Sequence, residues 1–157
     1  GIDLQPVAVP EFPVDALLPI LATEAAAAFD DLTRSNAVDQ LGGQSDGDWP
    51  NLFRTARLTP AVEYLRAMRA RTLLMRRMAE LFRRWDVLVS PSSSSLLTIT
   101  NFTGHPQISV PAGLIDGEPD AIHFTGRLFE EGKMALVAHL FQTATAWHLQ
   151  EPPAFAV

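Results

Sequence analysis

The feature that most constrains this chain is a long helical stripe that runs, without an intervening glycine, into a β-branched run. Between Thr59 and Trp85, the residues Leu65, Met68, Thr72, Met75, Ala79 and Phe82 recur at steps of three and four, with Val62, Met78, Leu81 and Trp85 widening the stripe. That period predicts one amphipathic helix. Thr59-Pro60 is its start signal, because threonine offers an oxygen to the free amides and proline at the first helical position forfeits no bond. Asp86-Val87-Leu88-Val89-Ser90-Pro91 follows at once and reads as a short buried strand ended by proline.

The flanking segments supply the other layers. Prolines at 6, 10 and 13 fix φ and remove amide donors, so residues 1–13 are expected to be extended backbone or an edge strand. Val14, Leu17, Leu18, Leu21, Ala25, Ala28, Phe29 and Leu32 line one helical face and predict a helix over 15–33 capped by Asp15. Residues 35–50, rich in Ser, Asn, Asp, Gln and Gly, predict a long variable loop. Trp49, Leu52 and Phe53 after it are read as an apolar anchor to the core. Gln107–Val110, between Pro106 and Pro111, is a second strand, Ala121–Thr125 a third, and Asp116-Gly117 the turn between them. The spacing from Glu130 to His148 predicts a last helix, stopped by Pro152-Pro153. Strands interleaved with helices give an α/β layer fold.

At 157 residues and 47% hydrophobic content, the chain is long enough to remove roughly two-thirds of its unfolded surface from water. It has no cysteine, so disulfides, thiolate nucleophiles and cysteine metal sites are excluded; a cytoplasmic location is the expectation that follows. No apolar run of about 18 residues is present, and no membrane association is expected. The net charge of −6 argues against a nucleic-acid partner. One segment departs from that balance: Arg66, Arg69, Arg71, Arg76, Arg77, Arg83 and Arg84 outnumber Glu63 and Glu80 on the long helix. They are spread around it, which suits a solvated face with salt bridges better than a phosphate surface. The opening Gly1-Ile2-Asp3-Leu4-Gln5-Pro6-Val7 reads like the interior of a protein, so the chain is expected to be a piece of a longer one.

No complete catalytic set is legible. The histidines at 105, 123, 139 and 148 lack the helical spacing of a zinc site, and neither metal nor cofactor is expected. Ser92 to Ser95 with His105 invite comparison with a hydrolase triad, yet no Gly-x-Ser-x-Gly elbow is present, and four serines after a strand are read as a loop.

Three segments carry more. Asn101-Phe102-Thr103-Gly104-His105-Pro106, Ile108-Ser109-Val110-Pro111-Ala112-Gly113 and Phe124-Thr125-Gly126-Arg127-Leu128-Phe129-Glu130-Glu131 resemble the C-terminal part of the amidase signature family, hydrolases of carboxamide bonds. The resemblance extends through Thr59–Ala67, Asp86–Pro91 and Gln142–His148, and more loosely to Glu24–Asp30, so it covers nearly the whole of 1–157. It implies a mixed β-sheet flanked by helices. It also implies a serine nucleophile, a second serine in a cis peptide and a lysine base, all in an N-terminal half that these residues do not contain. Lys133 is the chain's only lysine, and no Gly-Gly-Ser-Ser-Gly-like segment is present, so no catalytic residue carries over.

By the same resemblance the chain helps complete the sheet and the substrate cleft, and its partners are the N-terminal catalytic half and, in the intact enzyme, a small amide substrate. The segment from Ser90 to His105 would border the cleft, with Ser92, Thr98, Asn101, Thr103 and His105 lining it, and Gln44 to Phe53 is a further candidate border. The chain alone is then expected to be inactive, and an uncovered sheet edge makes self-association an expectation. A different reading, a non-catalytic binding or assembly module derived from the same fold, fits the same residues.

Overall fold

The computed structural model describes residues 2–153. They fall into two compact units, one of residues 12–73 and one of residues 2–11 with 74–153.

In the first unit, a 3-10 turn at Val14–Leu17 leads into α1 (Leu18–Ala28), then α2 (Asp30–Arg34), α3 (Trp49–Ala56) and the opening turns of α4 (Ala61–Phe82). The helix expected over 15–33 is thus broken. At Phe29 the backbone leaves helical values (φ −106°, ψ 24°), and its ring stacks on Phe53 of α3 with centroids 4.8 Å apart. Asp15 makes no side-chain cap. Residues 35–50 hold a 3-10 turn at Ala37–Gln40, and the stretch after it is tied down: Asn51 Nδ2 donates to the Gln44 and Ser45 carbonyls, and Arg54 donates to Asp39 and Gln44. Phe53 is buried while Trp49 stays half exposed.

Along α4 the buried positions are Ala67, Leu74, Met78 and Phe82, whereas Leu65 is 58% exposed and Thr72 and Ala79 face outward. The helix exists where the pattern put it, but its buried line is rotated from the expected stripe. Arg66 pairs with Glu63 and Arg83 with Glu80, each at 3.2 Å, so these arginines do form the expected solvated pairs.

The second unit holds the sheet: β1 (Val87–Pro91), then α5 (Leu96–Thr103), β2 (Gln107–Ile115), β3 (Glu118–Gly126) and α6 (Glu131–Thr145). All three strands pair antiparallel in the order β1-β3-β2, so the sheet of this α/β fold is small and antiparallel over these residues. β2 and β3 are longer than expected. β2 continues through Pro111 by a bulge between Pro111 and Gly113, which proline tolerates because it lies on an edge strand. The turn at Asp116-Gly117 has φ of 53° and 85°, the left-handed pair that a two-residue hairpin needs. Strand alternation turns Val110, Ile108, Phe124, Ile122 and Val87 toward α6, where they meet Met134, Ala138, Val137 and Phe141. Residues 2–13 carry no helix or strand, and Arg77 Nη1 donates to the Glu11 carbonyl at 2.7 Å.

The two edges of the sheet differ. β2 carries Pro111 and the bulge, both of which discourage further pairing; β1 presents Val87, Leu88, Val89 and Ser90 with a proline only at its end.

Candidate functional site

Beyond β1 the chain turns under its own hydrogen bonds. The Ser92 amide donates to the Ala121 carbonyl (3.2 Å) and its hydroxyl to Asp120 Oδ1 (3.3 Å), which fastens the turn to β3. Ser94 Oγ accepts from the Leu96 amide at 3.1 Å, so a serine satisfies one of the free donors at the start of α5. α5 buries Leu96, Ile99, Thr100, Phe102 and Thr103 and leaves Leu97, Thr98 and Asn101 exposed. It ends at Gly104, whose φ of 79° is the left-handed conformation of a helix C-terminus; its amide donates to the Thr100 carbonyl at 2.7 Å.

Of the five residues expected to line a cleft, the structure separates two kinds. Thr98 and Asn101, three apart, share the exposed side of α5. Thr103 is 1% and His105 7% exposed, and they bond to each other, with Thr103 Oγ1 2.8 Å from His105 Nδ1. The Thr103 hydroxyl also donates to the Ile99 carbonyl (3.0 Å), which uses its single proton; the imidazole therefore carries its hydrogen on Nδ1 and donates it to Thr103. The ring stacks on Phe82 with centroids 4.8 Å apart and 16° between planes. Burial pushes its pKa below the ordinary value, so the ring is neutral at pH 7. Ser92 is half buried between the two kinds.

The segment between Ser90 and His105 is thus not one loop but a turn, a helix and a cap. Its apolar and threonine residues have no strong helical period, which is why the sequence does not announce it.

Lys133 sits where a base would be unwelcome. Its ammonium lies 2.8 Å from Glu130 Oε2 and 3.4 Å from Asp86 Oδ1, and the hydrogen bond and charge of Glu130, followed by Asp86, raise its pKa. A lysine acting as a base needs the opposite shift. Arg127 joins the group, with Nη2 3.3 Å from Asp86 Oδ1 and Nε donating to the Trp85 carbonyl at 3.1 Å, so the cluster fastens the end of β3 to the start of β1. Among the described residues, no group of three or more His, Asp or Glu side chains is placed to hold a metal ion.

One arrangement the sequence reading missed lies on the sheet face away from α6, where Ser90, His123 and Ser109 stand opposite one another on the three strands. The signal is alternation within each strand, but the strand order β1-β3-β2 is needed to bring the three together.

No family model matches the chain. Across 110 aligned positions, taking in 57% of this chain and 22% of the relative, it is 36% identical to the A subunit of the glutamyl-tRNA(Gln) amidotransferase from Desulforudis audaxviator (strain MP104C). The stretch matched is the C-terminal part of that protein, so the chain spans about a fifth of the length of the curated relatives it matches. Among solved structures, an amidase superposes with a TM-score of 0.74 at 16% identity, covering 88% of this chain and 37% of that one. A bacterial aryl acylamidase of the amidase signature family superposes with a TM-score of 0.66 at 22% identity, covering 86% of this chain and 34% of that one. This chain has the fold of the C-terminal part of an amidase signature enzyme.

No helix of the described residues is long and apolar enough to cross a membrane.

Proposed function

We propose that this chain is the C-terminal portion of an amidase-type hydrolase that cleaves carboxamide bonds, completing the sheet and one wall of the substrate cleft while the nucleophile and base come from an N-terminal portion. The observation that carries the reading is the 36% identity to the C-terminal part of a curated amidotransferase component, together with superposition on about a third of two amidases. The edge position of β1 supports it, because a run of Val87 to Ser90 paired on one side only is what a sheet continued by further strands presents. Lys133, held protonated by two carboxylates, supports a base supplied from elsewhere.

Within this reading Thr98 and Asn101 are the cleft-lining residues of α5, and Ser92 borders the turn that leads to them. Thr103 and His105 hold α5 in place from its buried side. The 157-residue chain alone turns over no amide. Hydrolysis of a panel of primary and aryl amides by the purified chain is the test, and turnover abolished by a serine-directed reagent refutes the proposal. Thr98→Ala and Asn101→Ala, made in the chain joined to an amidase N-terminal portion, are expected to change kcat/KM between amides; unchanged values for every amide refute the cleft assignment.

A further inference from the structure

Ser90, His123 and Ser109 form one rung of the sheet, each serine being the direct pairing partner of His123. Directly paired residues present their side chains on the same face, and alternation from Ile122 and Phe124, which pack toward α6, puts this rung on the other face. His123 is 6% exposed, and its Nδ1 is buried without a hydrogen-bond partner; so is the Oγ of Ser90, its pairing partner on β1. Ser109 is exposed, so the rung runs from a closed end at Ser90 to an open end.

The neighbouring rung on the same face meets the same difficulty differently. There Gln107 is paired with Thr125, and Gln107 Nε2 reaches across to donate to Thr125 Oγ1 at 2.8 Å. Glutamine is long enough to close that gap directly. The Ser90–His123 pair makes no such bond, and both Ser90 Oγ and His123 Nδ1 are left without a partner. Two buried polar atoms left open across one rung are the exception in folded proteins, and a single partner between them satisfies both.

We propose that this rung is a binding site for one ordered water, held between Ser90 Oγ and His123 Nδ1. Water suits the rung because it offers both a donor and an acceptor, so it serves a serine hydroxyl and an imidazole nitrogen together. A cation does not suit it, since the rung supplies no carboxylate and only one imidazole. A nucleophile–base pair does not suit it either: the Ser90 hydroxyl is buried and unbonded to the ring, and no carboxylate on that rung orients His123. The water fixes the end of β1 to β3 two residues before Ser92, and so positions the turn that leads into α5.

The test is a crystal structure of the 157-residue chain at a resolution that shows solvent, with water–protein nuclear Overhauser measurements on the same chain in solution. The expected result is a water within about 3.2 Å of both atoms, retained in Ser109→Ala and absent in Ser90→Val, whose methyl groups occupy its place. A Ser90 hydroxyl bonded straight to His123, an empty rung, or a larger occupant overturns the proposal. Urea unfolding gives a second, independent reading: the midpoint loss in Ser90→Ala/His123→Leu is expected to be smaller than the sum of the single losses, because removing both ends leaves nothing unsatisfied. Strict additivity contradicts a shared partner.

Discussion

Lowering the pH should unfold this chain partly through His105. Its imidazole is 7% exposed and stacked flat on Phe82, and burial is what depresses its pKa. The unfolded chain takes up a proton near the ordinary value of 6.5, whereas the folded chain resists it until a lower pH. Stability from this group is therefore complete above pH 6.5 and declines as the pH falls from 6.5 through the folded pKa. One proton limits the slope to about 1.4 kcal/mol per pH unit. For a chain of this size that corresponds to roughly 3–6 °C in Tm per unit, at about 2–4 °C per kcal/mol. The assay is thermal unfolding of the wild-type chain and of His105→Asn from pH 8 down to about pH 5. The variant loses the ring stack, worth about 0.5–1.5 kcal/mol, at every pH, and the difference between the two proteins should shrink as the pH falls. Subtraction removes every contribution that the two proteins share. Parallel curves, or an NMR titration placing His105 at its ordinary value, would refute the assignment of this residue to the buried support of α5.

Three further outcomes follow from packing and backbone geometry. Phe124→Ala, in the cluster with Val110, Met134 and Ala138 and tilted against Phe141 at 5.6 Å, is expected to lose about 3–5 kcal/mol in urea unfolding. Gly126→Ala places a methyl 3.0 Å from Met134 Cβ, and overpacking should cost about 1–3 kcal/mol by the same measurement; an unchanged midpoint would show that α6 shifts freely. Phe129 is 90% exposed at φ 63°, so Phe129→Gly, which relieves left-handed backbone strain of about 1–2 kcal/mol at some cost in chain entropy, should leave Tm unchanged or raise it.

Much of the fold was legible because local signals agreed. Pro91, Pro106 and the Asp116-Gly117 turn bracket the three strands, and the structure places each where the pattern put it. What the sequence could not supply was the choice among near-equal options. Pro111 reads as a terminator, but on an edge strand its missing amide goes unneeded, and β2 continues past it. In α4 the large Leu65 outweighs the small Ala67 in any count of apolar residues, yet burial follows the face that meets neighbours, and Ala67 lies on it. The same limit applies at the candidate site. Thr98 and Asn101 differ from Thr103 only in helix phase, which a stretch as mixed as Leu96–Thr103 does not declare, and His105 lies past the Gly104 cap. The Ser90–His123–Ser109 rung needs a strand order that pairs β1 with β3 across the whole of α5 and β2, and no local pattern encodes that.

That strand order also sets a sequence of events during folding. β2 and β3 meet across a two-residue turn, so their pairing closes a very short loop and is entropically cheap, on the microsecond scale of hairpins. β1 has no neighbour until that hairpin offers it the free side of β3, and it must then close the much longer loop carrying α5. The hairpin is thus the template and β1 the late arrival. Weakening the turn at Gly117 should chiefly slow folding, while trimming Leu88 on β1 should chiefly hasten unfolding.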